Sequence, residues 1–172
     1  MRVLSILTLT LALAACAIEP TGNGAASSTS NTATATQTQS FVAALEAKRG
    51  SALTLAERLQ VQALTGTAKV GLNNAQNNFL NRVGAQVGLN GAVIAALFPE
   101  AGKPLSEYAA VAKIEGSLGK KLTAADQAAV KTATVLRNNS LASLKTGLAA
   151  SIGSRIGMST EIVLALMPML GL

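Results

Sequence analysis

The stretch Val83-Gly84-Ala85-Gln86-Val87-Gly88-Leu89-Asn90 constrains this chain more than any other, because the chain contains it twice. It returns 69 residues on as Ile152-Gly153-Ser154-Arg155-Ile156-Gly157-Met158-Ser159. An apolar run ending in proline follows each copy, with glycine soon after: Ala96-Leu97-Phe98-Pro99 and Gly102, then Ala165-Leu166-Met167-Pro168 and Gly171. The pattern reads as a helix stop followed at once by a helix start. Gly88 and Gly157 suit the left-handed position just past a helix, where a Cβ costs energy. Leu89 and Met158 are then the apolar residues beyond the cap, folding back on Val83 and Ile152. Asn90 and Ser159 are good N-caps for the next helix. Gly84 and Gly153 leave two readings open: a tight corner, or close packing of two helices.

The register of the repeat holds without a gap. Val42/Val111, Glu46/Glu115, Gly50/Gly119, Leu53/Leu122, Thr54/Thr123, Val61/Val130 and Leu72/Leu141 match across it. This defines a tandem duplication, roughly 41–102 and 110–171, joined by residues 103–109. Each unit predicts three helices. The first runs near Gln39 to Lys48, and again near Ser106 to Leu118. The second opens on a capping box, Thr54 to Glu57 and Thr123 to Asp126, and runs from about 55 to 87 and from about 124 to 156. The third covers 91 to about 98 and 160 to about 167, and Pro99 and Pro168 end it.

The first long helix carries an apolar stripe at Val61, Leu64, Ala68, Leu72, Ala75, Phe79 and Val83. The second repeats it at Val130, Ala133, Leu141, Leu144, Leu148 and Ile152, with Arg137 interrupting. Gly66, Gly71 and the Asn73-Asn74 pair are candidate kinks. No useful length alternates with period two, so no sheet is expected. Hydrophobic residues make up 49% of the chain but aromatics only 2%, which favours closely spaced helices with small side chains between them. The expected fold class is all-α: a helical bundle of two tandem, pseudo-twofold-related three-helix units.

The first residues read differently. Arg2 precedes a short apolar run, Val3 to Leu13, and then Leu13-Ala14-Ala15-Cys16. This segment resembles the signal peptide and lipobox of bacterial lipoproteins. The resemblance implies cleavage before Cys16 and a diacylglycerol on its thiol. With Ala17 where an inner-membrane protein would carry Asp, it further implies anchoring in the outer membrane of a Gram-negative cell, facing the periplasm. The expected organisation is a signal peptide over 1–15, a lipidated N-terminus and disordered linker over 16–36, and a helical domain over 37–172. The linker is rich in Ala, Ser, Thr and Asn, and Glu19 is its one charge, so it lacks apolar surface to bury.

Histidine is absent and Cys16 is the single cysteine, which removes Ser-His-Asp and Cys-His catalysis and imidazole metal sites. No phosphate-binding loop, dinucleotide fingerprint or EF-hand loop occurs. No enzyme activity, cofactor or metal is expected. Two equivalent carboxylate pairs remain, Glu46/Glu115 and Glu57/Asp126; such pairs share a proton or hold a cation, or else serve as caps and surface charges. Asn73, Asn74, Asn77, Asn78, Asn138 and Asn139 form a mid-helix polar group, either a binding patch or a solvated face. The net charge of +6 is scattered, with Lys48-Arg49 and Lys120-Lys121 the adjacent pairs, so nucleic acid is not an expected partner.

The third helix of each unit is apolar nearly all round and too short to span a bilayer. Val93, Ile94, Leu97, Phe98, Ile162, Val163, Leu166 and Met167 are therefore a candidate interaction surface, with burial in the bundle as the alternative. The expected function is a lipid-anchored cell-envelope protein with a non-catalytic structural or protein-interaction role. Its partners would be the membrane, through the anchor, and an envelope protein. A second reading is an amphiphile-binding or membrane-perturbing helical module.

Overall fold

The computed structural model describes residues 28–172; the signal segment, Cys16 and the linker as far as residue 27 lie outside the described residues. Six α-helices follow in order: α1 (Ser28–Arg49), α2 (Leu55–Val87), α3 (Gly91–Leu97), α4 (Glu107–Leu118), α5 (Ala124–Ile156) and α6 (Thr160–Leu166). A 3₁₀ turn, Met167–Leu170, runs on from α6. The described residues contain no strand.

The helix boundaries follow from local chemistry. Thr54 accepts the Glu57 N–H, and the Glu57 carboxylate accepts the Thr54 N–H, so α2 opens on a complete capping box. Thr123 caps α5 through the Asp126 N–H and donates its hydroxyl proton to the shorter Asp126 carboxylate. Both long helices end on a left-handed glycine, Gly88 and Gly157, each with φ of 69°. The Leu89 N–H then reaches back to the Gly84 carbonyl at 3.2 Å, and the Met158 N–H to that of Gly153 at 3.0 Å. These bonds occupy carbonyls that the end of a helix leaves without partners. Asn90 and Ser159 start α3 and α6 at once, accepting the N–H groups of Val93 and Ile162.

Gly84 and Gly153 are small because of the corner itself. A Cβ on Gly153 would lie 2.6 Å from the Met158 carbonyl oxygen, and one on Gly84 would lie 3.0 Å from that of Leu89. The chain's own return, not a second helix, takes the space. Gly71 is the opposite case. A Cβ there would meet Leu144 Cδ2 at 2.8 Å, so its absence lets α5 approach α2, and α2 runs on through it from Leu55 to Val87.

One boundary differs from expectation. α1 begins at Ser28, well before Gln39, and so takes in residues 28–36 of the expected linker. No glycine or proline interrupts residues 25–49, so a helix fixed to the core at Phe41, Val42 and Leu45 extends through weak helix formers. Propagation adds one bond for each residue fixed, whereas nucleation carries the main cost.

α2 and α5 are each 33 residues long and pack along one another. Their contacts run antiparallel: Gln86 reaches Asp126, Gln76 reaches Arg137, and Gly71 lies against Leu144. Two hydrophobic cores lie along this pair. One joins Phe41 and Leu45 of α1, Val61 and Ala68 of α2, Leu148 and Ile152 of α5, and Val163 and Met167 at the chain's last helices. The other joins Phe79 and Val83 of α2, Ile94 and Phe98 around α3, Ile114 of α4, and Val130 and Ala133 of α5. Each core therefore draws on residues from before and after the 99–105 connection. The long pair also keeps an uncovered face: Gln60, Thr67, Asn74 and Asn78 of α2 are exposed there, as are Leu136, Ser140, Ser143, Gly147 and Ser151 of α5.

Candidate functional site: two grooves between the long helices

Two grooves open between α2 and α5. The first, of about 320 Å³, is lined by Leu64, Thr67 and Ala68 from α2 and by Ser143, Leu144, Gly147, Leu148 and Ser151 from α5. Its walls are aliphatic, and small hydroxyl residues and a glycine form its rim. The second, of about 200 Å³, is lined by Ala75, Asn78, Phe79 and Arg82 from α2 and by Ala133, Leu136, Arg137 and Ser140 from α5. In the repeat register these are matching places: Leu64 corresponds to Ala133, Ala68 to Arg137, Leu148 to Phe79, and Ser151 to Arg82.

Arg137 makes the difference between them. It is only 4% exposed. Its Nε donates to Gln76 Oε1 at 2.6 Å, and Nη2 donates to the carbonyls of Glu100 at 2.7 Å and Ala101 at 3.0 Å. Nη1 donates to the Lys103 carbonyl at 3.0 Å and to Asn138 Oδ1 at 3.4 Å. A guanidinium has five N–H donors, and all five are engaged. Gln76 in turn donates to the Phe98 carbonyl at 2.7 Å, and Asn138 holds both the N–H and the carbonyl of Leu105. The guanidinium also lies 5.6 Å from the centroid of the Phe79 ring, which packs edge-on against Phe98. Burial lowers the Arg137 pKa from its ordinary value, yet no carboxylate pairs with it among the described residues. Three carbonyls of the 99–105 connection, with the side-chain oxygens of Gln76 and Asn138, stabilise the cation in place of a counter-ion. The residue that interrupts the apolar stripe is the clamp that holds the 99–105 connection between α3 and α4. The signal available in the sequence was that interruption, an arginine at an otherwise apolar register position.

The carboxylate pairs do not meet as acid–base dyads. Glu46 Oε1 accepts the Leu53 N–H at 3.0 Å and pairs with Arg58 at 2.7 Å. Glu115 takes the matching place: Oε2 accepts from Lys121 at 2.7 Å, and Oε1 accepts from the Leu122 N–H at 3.1 Å and from Gln127. Each carboxylate ties down the loop that leads into a long helix. The Leu53 N–H, with Arg58, holds the Glu46 pKa below the usual carboxylate range; Lys121 and then the Leu122 N–H do the same for Glu115. Glu57 and Asp126 are caps, and their pKa values are lowered chiefly by the Thr54 N–H and by the Gln86 amide respectively.

The candidate surface on the third helices is corrected by burial. Ile94, Phe98, Val163 and Met167 point into the two cores, and Val93, Leu97 and Leu166 are half-buried. Of the eight residues, Ile162 alone is exposed, at 41%. A helix this short keeps an all-apolar sequence because its core-facing side and its flanks both touch neighbours: α6 packs on α5 and α1, and α3 on α2 and α4. Asn73, Asn74, Asn77, Asn78 and Asn139 are solvated, whereas Asn138 is half-buried against Leu105. Gly88 and Gly157 end helices as expected. Cys16 lies outside the described residues.

No group of three or more metal-ligating Asp, Glu, His or Cys side chains occurs among the described residues, and none of their helices is long and apolar enough to cross a membrane. Comparison with known proteins finds no matching family model, no matching curated protein and no matching solved structure.

Proposed function

We propose that this is a lipid-anchored cell-envelope protein, tethered through Cys16 to the outer membrane on its periplasmic side, with a non-catalytic role in binding another envelope component. The helical domain is, in this reading, two tandem three-helix units related by a pseudo-twofold axis across the middle of α2 and α5. The observation that carries the binding role is the apolar groove between Leu64, Ala68, Leu144 and Leu148 on the uncovered face of the long helices. Concave, mainly apolar places with a few polar rim groups are where ligands and partner side chains bind. The carboxylates that would have served catalysis are engaged as caps and loop ties. The aliphatic lining also favours the second reading, an amphiphile-binding module.

Two measurements test this. Labelled fatty acid fed to cells should enter the wild-type chain and not Cys16→Ser; label retained by Cys16→Ser overturns the anchor, since the chain has no other cysteine. Chemical-shift mapping of the helical domain with a short-chain detergent below its micelle concentration then separates the two binding modes. Saturable shifts at Leu64, Leu144 and Leu148, abolished by Leu148→Asn, select the amphiphile. Absence of shifts there selects the protein partner.

A further inference from the structure

The two cores are shared, so a unit on its own has no complete core and must pair with another unit. Three pairings are open to two copies of this chain: first unit with second, first with first, and second with second. The interface residues near the middle of α2 and α5 do not treat these alike. We infer that Gln76, Arg137 and Lys145 form a pairing rule that admits first-with-second and rejects second-with-second, and so fixes which partner surface a second copy of this chain can offer. This inference rests on the pseudo-twofold reading above.

Gln76 and Lys145 occupy the same register position in the two units, as do Ala68 and Arg137. In the folded chain Arg137 meets Gln76, whose carbonyl oxygen accepts from Nε at 2.6 Å. In a pairing of two second units, the position facing Arg137 would instead be the other copy's Lys145. That would bring two pairs of like charges together inside an interface, with Lys145 in place of the Gln76 oxygen that now accepts from Arg137. Like charges in a desolvated place strongly disfavour a pairing, and rejection of wrong partners is how interfaces commonly gain specificity. Lys145 is already partly desolvated where it stands: it is half-buried, burial lowers its pKa, and no hydrogen bond or ion pair reaches it among the described residues. A pairing of two first units would set Gln76 against Ala68, leaving the amide oxygen without the guanidinium. The rule therefore allows exchange between copies only as a swap, in which the first unit of one chain takes the second unit of the other through an opened 99–105 connection. Pro99 and Pro104 bracket that connection, and Arg137 and Asn138 hold it closed. Exchange of identical elements between protomers is a low-cost route to dimers when such a hinge opens.

The test uses the full chain carrying Cys16→Ser, refolded from denaturant at one fixed concentration, with mass by light scattering and amide protection by hydrogen exchange. Gln76→Lys puts an ammonium against Arg137 and should reduce the monomer fraction about tenfold relative to the parent. Adding Lys145→Gln should then convert the chain to a dimer in which α4, α5 and α6 stay protected while α1, α2 and α3 lose protection. Gln76→Leu, uncharged and of similar size, should weaken the fold without producing that dimer. If Gln76→Lys behaves like Gln76→Leu, the pairing rule is wrong. If Gln76→Lys depletes the monomer but Lys145→Gln yields no such dimer, positions 76 and 145 are not equivalent, and the pseudo-twofold reading fails.

Discussion

The two grooves between α2 and α5 are built from matching positions and have opposite characters. One is walled by Leu64, Leu144 and Leu148 and left open by Ala68; the other is closed by Phe79 and crossed by Arg137. The difference shows that an arginine at an apolar register position does not simply spoil a core. It changes what the position is for. Ala68 lets the helices meet without engaging anything beyond them, while Arg137 reaches past α2 to three carbonyls on the segment between α3 and α4. One end of the pair thereby keeps an open apolar groove, and the other holds the connection between α3 and α4.

The largest expected effect breaks that contrast directly. Arg137→Ala removes five hydrogen bonds of a buried cation and leaves Gln76 and several carbonyls short of a donor, which should cost roughly 3 kcal/mol or more. Thr67→Ala, at the exposed rim of the open groove, should change stability by less than about 1 kcal/mol. Urea denaturation with an unchanged m-value reads both. Equal effects at the two positions would mean that the clamp adds nothing beyond packing.

The glycine corners come next. Gly153→Ala should destabilise by about 2 kcal/mol, because the new Cβ meets a carbonyl that cannot move without opening the corner. Gly84→Ala has a looser contact and gains helix propensity, so its cost should be smaller, about 1 kcal/mol or less. Gly88→Val and Gly157→Val should each cost on the order of 1–2 kcal/mol, because β-branched residues fit poorly at positive φ. Wild-type midpoints for both valine variants would remove the helix-stop account of α2 and α5.

A pH titration of stability sharpens the comparison of the two loop ties. Glu46 and Glu115 have folded-state pKa values below their unfolded ones. Their contribution is therefore present above the unfolded carboxylate range and is lost as pH falls through the lowered folded values. Acid should destabilise the wild type, and Glu115→Gln should flatten that slope more than Glu46→Gln, since Glu115 is the more buried of the two. A slope untouched by both substitutions would show that neither carboxylate ties its loop. The smallest effects belong to the rim of the open groove. Ser143→Ala and Ser151→Ala should stay within about 0.5 kcal/mol of wild type, since both side chains are exposed. A larger loss at either would mean that the rim is structural.

Much of the helical layout was legible from residue type and spacing alone. Thr54, Thr123, Gly88 and Gly157 mark the ends of two 33-residue helices because caps act through the backbone of their own few neighbours. The start of α1 was not legible, since no residue near Ser28 carries a stop signal and only attachment at Phe41 and Leu45 carries the helix that far. The burial of Ile94, Phe98, Val163 and Met167 was half-legible: their apolarity showed that they must be covered, but not by what.

The sequence by itself determined the local events: where the two long helices start and stop, that a pattern recurs 69 residues on, and that the described chain is built of helices. These depend on hydrogen bonds and steric limits within a few residues. Only the tertiary structure decided that α2 and α5 lie antiparallel, that each core borrows from both sides of the 99–105 connection, and that Ala68 opens a groove where Arg137 closes one. Those outcomes depend on which side chains meet across 61 positions of chain, as Gln76 and Arg137 do, and no local pattern reports the far partner.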